Sequence, residues 1–196
     1  MADQITKINR DGLLKQIAGT IGKTKVLALT AILHELKFSL RDLMNITFYH
    51  EKEVAFRASW IMENLLLIDT LGFLDDVEHL AEQFLKVKNR SCQRHYLKAL
   101  IHLTEPKADP IIKDKMAEID LEPAAEHCFD LLIDTRSPIA IKVFASQLLF
   151  NLRKRYDWIG EMLAEQLHIM MNVAGGPAIN SRAKTLLTQL AKDRIK

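Results

Sequence analysis

Apolar residues recur at spacings of three and four from one end of this chain to the other. Val54, Ala58, Ile61, Met62 and Leu65 form one such run, and Tyr96, Leu97, Leu100, Ile101 and Leu103 another. On a helix of 3.6 residues per turn each run falls along one stripe, whereas a half-buried strand would need strict alternation. Similar stripes include Phe129, Leu131 and Leu132, then Val143, Phe144 and Leu148, then Ile159, Leu163 and Leu167, then Leu186, Leu187 and Leu190. Seven glycines and five prolines are too few to punctuate a strand-and-turn protein of 196 residues. The chain is therefore predicted to be all-α. Its length suits a single domain over residues 1–196, and 48% hydrophobic with 27% charged residues lies near the globular average, which argues against disorder.

The breaks between stripes carry helix-boundary chemistry. Asp69-Thr70-Leu71-Gly72 stops one helix, and Asp75, Asp76 and Glu78 suit the positive end of the next. Asn89 and Ser91 are candidate N-caps, Glu105-Pro106 ends a helix, and Ser137-Pro138 reads as N-cap followed by proline at the first helical position. Gly175-Gly176-Pro177 is the clearest turn. The pattern predicts helices near 10–20, 23–37, 39–48, 51–68, 73–87, 90–104, 109–119, 121–134, 138–154, 157–173 and 178–194. Connections this short make consecutive helices antiparallel neighbours.

Four of these helices open alike, with a basic residue followed by small and apolar ones. They contain Arg57-Ala58-Ser59-Trp60-Ile61, Arg94-His95-Tyr96-Leu97, Lys142-Val143-Phe144-Ala145 and Arg182-Ala183-Lys184-Thr185-Leu186. The basic anchors lie 37, 48 and 40 residues apart, against about 40–47 residues for HEAT and armadillo units. Here the chain resembles the HEAT-repeat family, whose second helix commonly opens with Val-Arg and small residues. Pro138 to Ala145 is the best match and Val54 to Ala58 the next. The resemblance covers about residues 39–196. It implies a right-handed stack of antiparallel helical hairpins, a HEAT-like α-solenoid of about four hairpins, with residues 1–38 as N-terminal capping helices. It also implies a concave surface lined by the second helices, where partners sit. Arg57, Arg94, Lys142 and Arg182 are the binding candidates at the starts of those helices, or else arginine ladder members paired with aspartates of neighbouring repeats. Trp60 is expected in the core or at its edge.

Chemistry-bearing motifs are sparse. Cys92 and His95 share a helix face, but a structural zinc site takes four ligands in paired close spacings. Glu165-x-x-His168 matches half of a di-iron motif, and a solvated helix face explains it better. Gly-x-Ser-x-Gly and the Gly-rich phosphate loops are absent. No catalytic residue, metal or cofactor is assigned, and a non-enzymatic module is favoured over an enzyme. Two cysteines make no disulfide framework, Met1-Ala2-Asp3-Gln4 opens no apolar leader, and no apolar run approaches the roughly 20 residues of a membrane span. The expectation is a soluble cytoplasmic protein, monomeric or a weak homodimer, whose partner is another protein.

The net charge of +2 conceals a polarity of +3 over residues 1–50, −6 over 51–136 and +5 over 137–196. In the basic third, Arg153-Lys154-Arg155-Tyr156 with Trp158 joins positive charge to aromatic rings, and Arg182, Lys184, Lys192, Arg194 and Lys196 add to it. Nucleic-acid binding is the alternative. One group of alkylpurine DNA glycosylases built on HEAT-like repeats sets a tryptophan and an aspartate one turn apart. This chain has Trp60 with Asn64 and Trp158 with Met162, and neither pair supplies the carboxylate.

Overall fold

The computed structural model describes residues 10–20, 22–173 and 176–193. Eleven α-helices follow one another among them: α1 (Arg10–Gly19), α2 (Lys23–Glu35), α3 (Leu40–Ile46), α4 (Lys52–Ile68), α5 (Val77–Lys86), α6 (Arg90–Leu103), α7 (Pro110–Glu118), α8 (Glu122–Ile133), α9 (Ile139–Leu152), α10 (Asp157–Val173) and α11 (Pro177–Asp193). A 3-10 segment, Leu71–Asp76, precedes α5.

Side chains set these boundaries. Ser39 Oγ accepts the amide of Asp42, Asn89 Oδ1 that of Ser91, and Asp109 Oδ1 that of Ile111, each satisfying an amide that has no partner within its own helix. At Asp69 the carboxylate accepts the Gly72 amide at 3.0 Å, so near that a β-carbon on residue 72 would collide with it. This tight turn delays the α-helix expected from residue 73, and Asp75 and Asp76 fall in the 3-10 turn instead. Ser137 differs from expectation as well. Its hydroxyl is buried without a partner among the described residues, and the carbonyl of Pro138 accepts the amides of Ile141 and Lys142 to start α9. Of the turn at residues 175–177, Gly175 lies outside the described residues and Pro177 opens α11.

The helices form two layers. In the inner one α2 packs on α4, α4 on α6, α6 on α9 and α9 on α11; in the outer one α3 meets α5, α5 meets α8 and α8 meets α10. Hairpins α3/α4, α5/α6, α8/α9 and α10/α11 join the layers, and α1 also lies against α4. All four basic anchors fall on inner helices, near the start of each. The long 48-residue interval has a simple cause: α7 is an additional short helix inserted between α6 and α8, packed on α6 and the 3-10 segment.

One core runs through the stack, from Leu13 and Ile17 to Leu186 and Leu190. Tyr96 is its largest fully buried side chain, and its hydroxyl meets Thr47 Oγ1 at 2.9 Å across the junction of two hairpins. Trp60 sits at the core edge, half-buried. A double-mutant cycle of Tyr96→Phe and Thr47→Val, read from urea unfolding, should return a coupling of about 1 kcal/mol. A coupling near zero would mean that the bond does not tie the hairpins.

Candidate inner-layer groove

Between α4, α6, α9 and α11 the inner layer opens into a groove of about 410 Å³. Leu67, Ile101, Val143 and Phe144 give it an apolar surface, and Glu63, Lys98, His102, Glu105, Gln147 and Arg182 supply polar groups. These positions share a wall because α4, α6, α9 and α11 pack side by side.

Below the groove lies a charged cluster. Glu63 and His95 are each 2% exposed. Glu63 Oε2 faces His95 Nδ1, and Glu63 Oε1 accepts from the ammonium of Lys98. The His95 ring stacks on Trp60 with centroids 6.1 Å apart and also lies 5.5 Å from that of Phe56. Burial pushes the His95 pKa down. The hydrogen bond and charge of Glu63 oppose that, while Arg94 and Lys98 reinforce it, and the result lies below the ordinary 6.5. For Glu63, burial works to raise the pKa, but the bonds from His95 and Lys98 outweigh it, and the carboxyl ends below its usual value. The consistent state is an ionised Glu63 and a neutral His95 donating from Nδ1. His95 Nε2 has no partner among the described residues.

The four anchors find different partners. Arg57 donates to the Ala18 carbonyl at 2.5 Å, in the last turn of α1, and lies 3.7 Å from Glu53. Lys142 is buried and donates to the Leu132 carbonyl, near the end of α8, at 2.7 Å. Burial lowers the Lys142 pKa, against a smaller opposing effect of Asp134. Arg94 is half-buried and makes no ion pair among the described residues. Arg182 donates to Gln147 Oε1 on α9 and lines the groove. Arg57 and Lys142 thus stabilise carbonyls at helix C-termini, where positive charge is favoured. Arginine–aspartate pairs between neighbouring repeats do exist, but they join Arg41 to Asp76, Arg90 to Asp134 and Arg153 to Asp193, at sequence separations of 35, 44 and 40.

Residues 153–158 fasten neighbouring helices to one another. Arg153 bonds Asp193 at 2.6 Å and lies over the Phe150 ring, and Arg155 donates to the carbonyls of Met116, Ala117 and Ile119 at the end of α7. Lys154 is exposed, 3.8 Å from Asp193. Tyr156 accepts the Leu121 amide, and Trp158 donates to Glu122 at 2.8 Å. Arg194 and Lys196 lie outside the described residues. Trp60 and Asn64 are joined through the Trp60 carbonyl and the Asn64 amide.

Both cysteines are buried. Cys92 turns its sulfur to the Thr47 carbonyl, and burial raises its pKa to about 11, which disfavours the thiolate that would bind a metal. Burial raises Cys128 as well. Glu165 and His168 are both exposed. Among the described residues no three His, Cys, Asp or Glu side chains converge as ligands, and no helix is long and apolar enough to cross a membrane.

The Glu63–His95 pair escaped the sequence reading. Its signal was a lone acid between Ile61-Met62 and Leu65-Leu66, with His95 and Lys98 one turn apart on a later helix.

A family model described as HEAT repeat domain matches residues 13–190 of this chain. Neither the curated proteins nor the solved structures contain a match.

Stability should fall in acid. The unfolded chain takes up a proton on residue 95 near 6.5, whereas the folded chain resists it, so the unfolded state binds more protons as pH drops through that value. Glu63 adds a second loss further down, below its ordinary 4.5. Urea midpoints measured from about pH 7.5 to 5.5 should decline less steeply in His95→Asn than in the wild type, with buried His127 supplying part of the remainder. Equal slopes would show that His95 titrates freely.

Proposed function

The chain belongs to the HEAT-repeat family, and on that premise we propose that it is a non-enzymatic interaction module holding a segment of another protein in the inner-layer groove. The groove itself carries this reading, because it joins accessible apolar side chains to convergent polar ones where the stack leaves the inner helices uncovered. Leu67 is 41% exposed there, although burying it would be favourable by roughly 1.5–3 kcal/mol. A single copy of the chain supplies the whole groove. Helices α1 and α2, both packed on α4, serve as the cap at the N-terminal end.

Nucleic-acid binding through Arg153, Lys154 and Arg155 has weaker support. Two of the three guanidinium and ammonium groups are committed to Asp193 or to helix-end carbonyls, and Tyr156 and Trp158 bond within the chain. Such binding would also fall steeply with salt, by about a thousandfold or more between 50 and 200 mM for six or more phosphate contacts.

A photo-crosslinker at position 144 should capture a discrete protein from the native lysate in moderate salt. Leu67→Glu should reduce that capture at least about tenfold, while Ile133→Glu, at a site 62% exposed on the outer layer, leaves it unchanged. Equal loss in both variants, or capture only from outer-layer positions, contradicts the proposal.

A further inference from the structure

Arg182 and Arg94 stand apart from the other arginines whose side chains are described, and of the two only Arg182 lines the groove. Arg41, Arg57, Arg90, Arg136 and Arg153 each reach a carboxylate within 4 Å, and Arg155 reaches three carbonyls. Arg182 bonds only an amide oxygen, that of Gln147, and its Nε is shielded from water with no partner among the described residues. No described carboxylate lies within 4 Å of it. A half-buried guanidinium has five donors and a charge that water solvates poorly, so an anion on its open side would be strongly favoured.

No carboxylate of the groove reaches Arg182 among the described residues, and the hydrogen bonds that do reach it run in a fixed direction. The Ile101 carbonyl can only accept, so Asn151 donates its Nδ2 there at 3.2 Å and to Thr104 Oγ1 at 3.1 Å. Asn151 Oδ1 is then the acceptor for Gln147 Nε2 at 2.7 Å, which leaves Gln147 Oε1 for Arg182. The relay orients the guanidinium and contributes no negative charge. Glu63 is already balanced by Lys98 beneath the groove.

We propose that the groove recognises a partner segment carrying one carboxylate beside a large apolar side chain, with Arg182 receiving the carboxylate and Leu67, Ile101, Val143 and Phe144 the apolar group. This rests on the reading of the groove as the protein-binding site. A side-chain carboxylate suits the site better than a phosphate, since Glu63 and Glu105 also line the groove and a dianion would meet them as well as Lys98 and Arg182.

The test uses the full chain and a random dodecapeptide library displayed on phage, followed by anisotropy with the selected peptides. Peptides enriched on the wild type should carry Asp or Glu next to Leu, Ile, Met or Phe. Changing that acid to its amide should weaken binding about ten- to hundredfold on the wild type, and change it less than about twofold on Arg182→Gln, whose fold is checked by its melting curve. Peptides that are lost with Leu67→Glu but tolerate the amide, or that prefer phosphoserine in place of the acid, overturn the carboxylate inference and leave the groove standing. Peptides indifferent to Leu67→Glu, or no enrichment at all, count against the groove as well.

Discussion

A hairpin of two amphipathic helices has an apolar stripe that it cannot cover alone, and the architecture of this chain follows from covering it. Each hairpin buries its stripe against the next, so that α2, α4, α6, α9 and α11 become one continuous layer. Phe84, Tyr96 and Leu100 are fully buried in the middle of the stack, each such apolar side chain contributing roughly 1.5–3 kcal/mol. The extra helix α7 is accommodated because it packs at the edge, on α6 and the 3-10 segment, without interrupting α6 against α9.

Stacking brings charged groups into poorly hydrated places, and the chain meets that in three ways. Basic side chains cap exposed helix carbonyls: Arg57 on α1, Arg155 on α7 and Lys142 on α8. Arginine–aspartate pairs link one repeat to the next along the chain. Glu63, His95 and Lys98 share one buried site that ties α4 to α6. Removing a single member of such a site leaves an uncompensated group, which costs far more than the intact cluster contributes. Arg182, by contrast, lines the groove with no carboxylate in reach among the described residues.

Much of this was legible in the sequence. The positions of α4, α6, α9 and α10 follow from their apolar stripes, and Asn89 announces the start of α6 as an N-cap should. The 3-10 turn was not legible, since it depends on the Asp69 carboxylate reaching the Gly72 amide. Repeat spacing exposed the basic anchors but not their partners. Whether Arg57 meets an aspartate or the Ala18 carbonyl depends on where α1 ends in space, and local patterning does not encode that. The groove was visible only as an implication of the family resemblance, because its walls come from helices about 40 residues apart whose contacts no local window contains.

If the inner layer is one cooperative unit, native-state hydrogen exchange measures it directly. Amides at the centres of α4, α6 and α9 should exchange only through global unfolding, with a common free energy equal to that from urea denaturation. Protection should decline towards α1 and α11, which among the described residues have an inner-layer neighbour on one side only. Independent opening of α4 and α6 at a free energy distinct from that of α9 would contradict a continuous layer, and with it the groove that spans all three.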